Sequence, residues 1–110
     1  MDRNELLQRL ESIEWNDIEF KEASWEVPRS ALSTVSAFAN TAGGHLVFGV
    51  KQANGVFTIT GVTDADQVQN TFLGQVRDSN KISVFLPIDG PVHNLPEGTV
   101  LAFYIPEATR

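Results

Sequence analysis

Two adjacent glycines join a helical pattern of apolar residues to an almost uninterrupted apolar run. Apolar residues recur at intervals of three and four over residues 31–42, which predicts a helix with one buried face. Gly43 can adopt the left-handed conformation that ends a helix, and Gly44 lets the chain turn back tightly. Residues 45–50 then predict a central strand, in which Gly49 is expected to allow close approach of the preceding helix. This order restricts the fold to helices packed on a sheet.

The rest of the chain adds helices and strands on both sides of this unit. Asn54-Gly55 predicts a hairpin, Thr63 is the expected N-cap of a later helix, and residues 89–98 predict a surface loop. The order α-β-α-β-β-α-β-β predicts an α+β fold, an α/β sandwich with a mixed sheet of about five strands and about three helices. The predicted elements are helices over residues 3–12, 27–42 and 63–80, and strands over 17–22, 45–50, 56–61, 82–88 and 99–105.

The composition limits the classes of protein and of site. The 110 residues are 42% hydrophobic and 20% charged, which is ordinary for a single globular domain. No apolar run approaches the ~20 residues of a membrane-spanning helix, so no membrane partner is expected. The chain has no cysteine and two histidines, so we expect no disulfide, metal or cofactor, and a cytoplasmic location. The net charge of −6 counts against binding to a phosphate backbone.

Four short motifs follow one another between residues 19 and 62. They are Glu-Phe-Lys at 19–21, Ala-Phe-Ala-Asn-Thr-Ala-Gly-Gly at 37–44, and Gly-Val at 49–50 and again at 61–62. Each motif alone is weak, but the combination is specific. With these motifs the chain resembles the AlbA-type domain of Schlafen-like proteins, which is also called the AlbA_2 or divergent AAA domain.

This resemblance implies a DNA- or RNA-binding module that has no catalytic activity of its own. Such domains are located at the N-terminus of longer proteins that are described as transcriptional regulators or RecG-related ATP-dependent helicases. Residues 1–110 are therefore expected to form one domain, the N-terminal fragment of a longer protein. The chain contains no Gly-x-x-x-x-Gly-Lys-Ser/Thr phosphate loop, so ATP hydrolysis is not expected of it.

The cations and the double-glycine turn are the candidate contacts for nucleic acid. Glu19 and Lys21 are two residues apart, so they lie on the same face of the predicted strand. There they form either a solvated ion pair or part of a phosphate site. Asn40 and Thr41 either cap the helix or face an anion together with the glycine N–H groups. We expect the turn to bring Asn40 and two lysines into one pocket. The predicted nucleic-acid-binding residues are Lys21, Arg29, Asn40, Thr41, Gly43, Gly44 and Lys51.

A nuclease is the least favoured alternative. Some Schlafen relatives cleave RNA with three carboxylates that hold a metal ion, and Glu14 and Glu19 match the first two by the spacing of the motif. The third position, after the Gly-Val of the central strand, is Lys51. An ammonium group repels the cation that the carboxylates would hold, so we predict no nuclease activity.

Two further features leave alternatives open. Trp15 and Trp25 either stack on nucleobases or form the edge of the core, and burial is the more common outcome for tryptophan. The apolar strands predicted over 82–88 and 99–105 could offer a sheet edge. The second hypothesis is therefore a protein-interaction or dimerisation module, which pairs with a second copy or with C-terminal domains of the same chain.

Overall fold

The structure is a computed structural model that confirms the predicted α+β class. No helix among the described residues is long and apolar enough to cross a membrane. Most of the helix predicted over 3–12, the Asn54-Gly55 turn and the strand predicted over 82–88 lie outside the described residues. The structure describes residues 18–53, 56–78 and 92–107, together with Asn4 and Gln8, which are both helical.

A four-stranded mixed sheet carries two helices on one face and a two-stranded hairpin on the other. The sheet order is β1-β2-β6-β5, with β1 parallel to β2 and the other neighbours antiparallel, and β3 pairs with β4. Because β6 lies between β2 and β5, the expectation that residues 99–105 offer a sheet edge is wrong. The elements are β1 Ile18–Lys21, α1 Ala31–Ala39, β2 Gly44–Phe48, β3 Val50–Ala53, β4 Val56–Ile59, α2 Ala65–Asp78, β5 Val92–Leu95 and β6 Gly98–Ile105.

Aromatic side chains fill both layers between the sheet and its covers. On the helix side, Phe48, Phe72 and Phe103 are fully buried, with ring centroids 4.7–5.7 Å apart. On the hairpin side, Phe57 packs on Phe20 with a centroid separation of 4.7 Å. Burial of one such side chain contributes about 1.5–3 kcal/mol, so the helix-side cluster is a major source of stability.

Gly49 breaks the predicted central strand into β2 and β3. Its φ of 101° is in a region that favours glycine, and a Cβ there would lie 2.9 Å from the Thr99 carbonyl oxygen of β6. The close approach at Gly49 is therefore to β6, and the expectation that Gly49 accommodates the helix is wrong. Gly44 has that function instead, because a Cβ at Gly44 would collide with the Phe38 ring of α1.

Three further boundaries differ from the prediction. Helix α1 begins at Ala31 because Pro28 opens a turn first, in which its carbonyl accepts the Ala31 N–H at 3.0 Å. The side chain of Asp64, not of Thr63, caps α2 by accepting the Gln67 N–H at 3.0 Å. Strand β5 lies inside the predicted loop, where pairing with β6 overrides the local glycine and proline content.

Candidate functional site

Strand β1 places Glu19 and Lys21 side by side on the helix face of the sheet. Ile18 and Phe20 point to the other face and are buried there, so the predicted alternation is confirmed. The Lys21 ammonium donates a hydrogen bond to Ser30 Oγ at 2.7 Å and lies 3.7 Å from Glu19 Oε1. Only 12% of the Lys21 side chain is exposed, against 51% of Glu19. Lys21 is therefore held in place, while Glu19 is partly hydrated.

The hairpin brings a second lysine to the same place. The Gly49 N–H donates to the Lys21 carbonyl at 2.8 Å, which fixes the start of the hairpin against the end of β1. Exposed Lys51 follows two residues later, and both lysines line one open depression. We call this depression the lysine cleft. It is lined by Glu19, Phe20, Lys21, Glu22, Pro28, Ser30, Val50, Lys51 and Gln52.

A loop with an exposed tryptophan adjoins the lysine cleft. Residues 22–29, here called the tryptophan loop, line a second open depression that shares Glu22 and Pro28 with the lysine cleft. Trp25 is 54% exposed, so the expectation that it forms a core edge is wrong; Trp15 lies outside the described residues. Arg29 is exposed in the same loop. The two depressions thus form one continuous surface.

The charges on this surface are mixed. The described ranges contain four lysine or arginine residues, and three of them, Lys21, Arg29 and Lys51, line the two depressions. The fourth, Arg77, is near the C-terminal end of α2 and lies 3.7 Å from the Asp78 carboxylate. Carboxylates also line the surface, from Glu19, Glu22 and Glu26. Three of the four described cations therefore converge, next to an equal number of carboxylates.

The double-glycine turn lies at the other end of the molecule's central strand. Lys21 pairs with Phe48 at the end of β2, whereas the turn at Gly43 and Gly44 leads into the start of β2. The nine residues of α1, a rise of about 13 Å, also separate Ser30 from Asn40. The expectation of one pocket that contains both Asn40 and the lysines is therefore wrong.

The contacts of the turn support its role as a helix cap. Gly43 has a φ of 83°, is buried, and donates its N–H to the Phe38 carbonyl at 3.0 Å. Thr41 Oγ1 donates to the Ala37 and Phe38 carbonyls at 3.0 and 3.2 Å. Gly44 is also buried, while Asn40 is exposed at the C-cap position. An anion contact at this turn has no N–H from Gly43 to use, since that group is already bonded.

A metal centre built on Glu19 does not fit the described residues. Its carboxylate is next to the Lys21 ammonium, and Lys51 lines the same cleft, so two positive charges oppose a divalent cation. No three His, Cys, Asp or Glu side chains cluster as a metal site requires within residues 18–53, 56–78 and 92–107. Glu14, the other carboxylate of the nuclease alternative, lies outside these ranges.

Sequence reasoning missed one residue that shapes the site. Ser30 stands just before an apolar helix and is typical of an N-cap, yet its side chain makes no capping hydrogen bond. Its Oγ instead accepts a hydrogen bond from the ammonium group of Lys21, which is nine residues earlier in the sequence. No local pattern could have shown this contact, because it depends on how α1 packs beside β1.

Comparison with known proteins agrees with the fold. A family model described as Schlafen, AlbA_2 matches residues 14–110. The solved structures include a solution NMR structure from Nitrosomonas europaea, of the N-terminal domain of a protein named as related to the ATP-dependent DNA helicase RecG. That domain is 28% identical with a TM-score of 0.72, and the match covers 96% of this chain and 71% of the other. No curated protein gave a match.

Proposed function

The chain belongs to the Schlafen AlbA_2 family, and from this premise and the geometry of the cleft we propose that it is a nucleic-acid-binding module. The domain acts without catalysis of its own, as part of a longer transcriptional regulator or helicase-like protein. Its likeness to a domain of a RecG-related protein supports this context, because that protein's name connects it with DNA.

The convergence of cations is the observation that carries the proposal. The whole chain has a net charge of −6, yet three of the four described lysine and arginine residues line one continuous surface. A protein binds a nucleic-acid backbone by neutralising several phosphates, which releases condensed counterions. Cations that share one surface can contact the same strand together. Lys51 and Arg29 are exposed and able to reach a phosphate, while Lys21 is fixed at the floor of the cleft.

The carboxylates on the same surface limit the expected affinity for nucleic acid. Glu19 and Glu22 lower the positive potential of the lysine cleft, so the domain binds weakly in isolation and gains affinity from the rest of a longer chain. Fluorescence anisotropy with labelled DNA and RNA at two salt concentrations tests this directly. Saturable binding that weakens with salt supports the proposal. Absence of binding at low salt contradicts it and leaves the protein-interaction hypothesis.

Lys51→Ala tests whether the lysine cleft is the contact surface. We expect affinity to fall about threefold to tenfold and the slope of log K against log salt to decrease by about 1, as for the loss of one phosphate contact. Arg77→Ala is the matched control, because it removes the same charge from an exposed helix end outside both depressions. Equal losses in the two variants would indicate non-specific attraction and contradict a defined cleft.

Glu19→Gln separates the binding proposal from the nuclease alternative. Removal of this carboxylate from the cleft is expected to tighten nucleic-acid binding about twofold to fivefold, the range of a partly exposed charge interaction. The control Glu97→Gln changes the net charge equally at an exposed turn outside both depressions and should have a smaller effect.

We also expect no cleavage of labelled RNA with Mn²⁺. Cleavage by the unmodified domain that Glu19→Gln abolishes would establish the nuclease instead.

A further inference from the structure

Trp25 is the feature of the tryptophan loop that the cation contacts leave unexplained. More than half of this large apolar side chain is exposed, in a loop whose other exposed residues are polar or charged: Glu22, Ser24, Glu26 and Arg29. Tryptophan is enriched at binding interfaces, because its large ring is apolar while its N–H can meet a polar group. An exposed aromatic ring can also stack on a nucleobase.

The backbone around Trp25 is fixed before any ligand arrives. The Ser24 carbonyl accepts the Thr63 and Asp64 N–H groups at 2.9 and 3.3 Å, and the Trp25 carbonyl accepts Gln67 Nε2 at 3.1 Å. These bonds tie the loop to the segment that begins α2. A ring on such a backbone loses less conformational freedom on binding than a ring on a free loop would.

The charges beside Trp25 favour a nucleobase over a phosphate at this position. Glu22 and Glu26 line the same depression and outnumber Arg29, so the net charge beside the ring disfavours a phosphate there. A base is uncharged and presents a flat face that stacks on indole. The lysine cleft adjoins this depression and supplies the cations for the flanking phosphates. One strand can therefore place a base on Trp25 and its backbone along Lys51.

We propose that Trp25 is a stacking platform for an unpaired nucleobase, so that the ligand of this surface is single-stranded nucleic acid. The inference rests on the proposed function and specifies its ligand. In a duplex both faces of each internal base are already stacked, and only the phosphates and groove edges are accessible. A duplex can use the lysine cleft but gains nothing from the exposed indole.

The test compares one labelled oligonucleotide as a single strand and as a duplex, with the unmodified domain and with Trp25→Ala and Trp25→Phe. We expect the domain to favour the single strand and Trp25→Ala to weaken single-strand binding about fivefold to a hundredfold, the effect of one lost base stack. Phe should retain most of the affinity because it keeps an aromatic face. Duplex binding should change by less than about twofold, since no stack is present to lose.

Tryptophan fluorescence provides an independent measurement of the same contact. The chain contains two tryptophans, so Trp15→Phe leaves Trp25 as the only one. Its emission should be quenched on titration with the unlabelled single strand and change little with the duplex.

The outcomes separate the inference from the function on which it rests. If Lys51→Ala weakens binding while Trp25→Ala changes the affinity for neither the single strand nor the duplex, the module binds nucleic acid but the stacking inference is wrong. An equal loss for the single strand and the duplex also overturns the inference, because it indicates a general disturbance of the loop. If the unmodified domain binds neither oligonucleotide at low salt, the proposed function itself fails.

Discussion

Phe72→Ala is expected to lower the free energy of unfolding by about 3–5 kcal/mol, the largest loss among the substitutions considered. Phe72 is fully buried on α2, and its ring contacts Phe48 of β2 at 5.2 Å and Phe103 of β6 at 4.7 Å between centroids. Truncation removes the only described aromatic ring that α2 contributes to this cluster and leaves a cavity that the rigid sheet cannot close. Since a domain of this size is stable by about 5–15 kcal/mol, much of its stability would be lost.

Urea denaturation followed by circular dichroism measures this loss. With a slope of about 1–3 kcal/mol/M, the midpoint should fall by more than about 1 M. Phe57→Ala is the matched control, since it truncates the same residue type in the half-buried layer under the hairpin. Its expected loss is smaller, about 1–2 kcal/mol. If both variants lost the same stability, the helix-side cluster would not be the principal core.

The local order of the fold was predictable because each step has a short-range signal. The apolar spacing of α1, the left-handed Gly43 and the buried strand after it are set by residues within a few positions of each other. The alternation that places Glu19 and Lys21 together is likewise local, since side chains in a strand repeat every two residues. These predictions are confirmed.

What the sequence could not show depends on contacts between distant segments. The break at Gly49 follows from the approach of the Thr99 carbonyl, 50 positions away, which no pattern around Gly49 records. The exposure of Trp25 depends on the anchoring of its loop to Gln67, 42 residues later. Residue types also misled the site prediction: glycines that could expose N–H groups to an anion are instead buried in a helix cap.

The convergence of the three cations also depends on contacts between segments that are distant in the sequence. Lys21 and Lys51 are separated by 30 positions and belong to different sheets. The hydrogen bond from the Gly49 N–H to the Lys21 carbonyl and the packing of Phe57 on Phe20 bring β1 and the hairpin together. A count of charges along the sequence gives −6 and no positive surface. The three-dimensional arrangement instead brings three of the four described cations to one surface, where β1, the hairpin and the segment before α1 meet.

Gly49 is therefore the position where a single methyl group should disturb both stability and binding. Its φ of 101° strains any L-residue, and a Cβ there would lie 2.9 Å from the Thr99 carbonyl oxygen and 3.1 Å from Val62 Cγ2. We expect Gly49→Ala to lower the free energy of unfolding by at least about 2 kcal/mol. Because Gly49 also bonds the Lys21 carbonyl, the hairpin should shift and Lys51 should leave its place in the cleft.

Gly74→Ala is the matched control, and its expected effect on the free energy of unfolding has the opposite sign. Gly74 is in the interior of α2, where a Cβ would meet only Arg77 Nη2, at an ordinary 3.6 Å. Alanine there should raise the free energy of unfolding by about 0.5–1 kcal/mol, since it restricts the unfolded chain and favours the helix. Thermal unfolding and oligonucleotide binding of both variants test the pair. If Gly49→Ala were as stable as the unmodified domain and bound as tightly, the hairpin would not be held by this contact, and the lysine cleft would lose its structural basis.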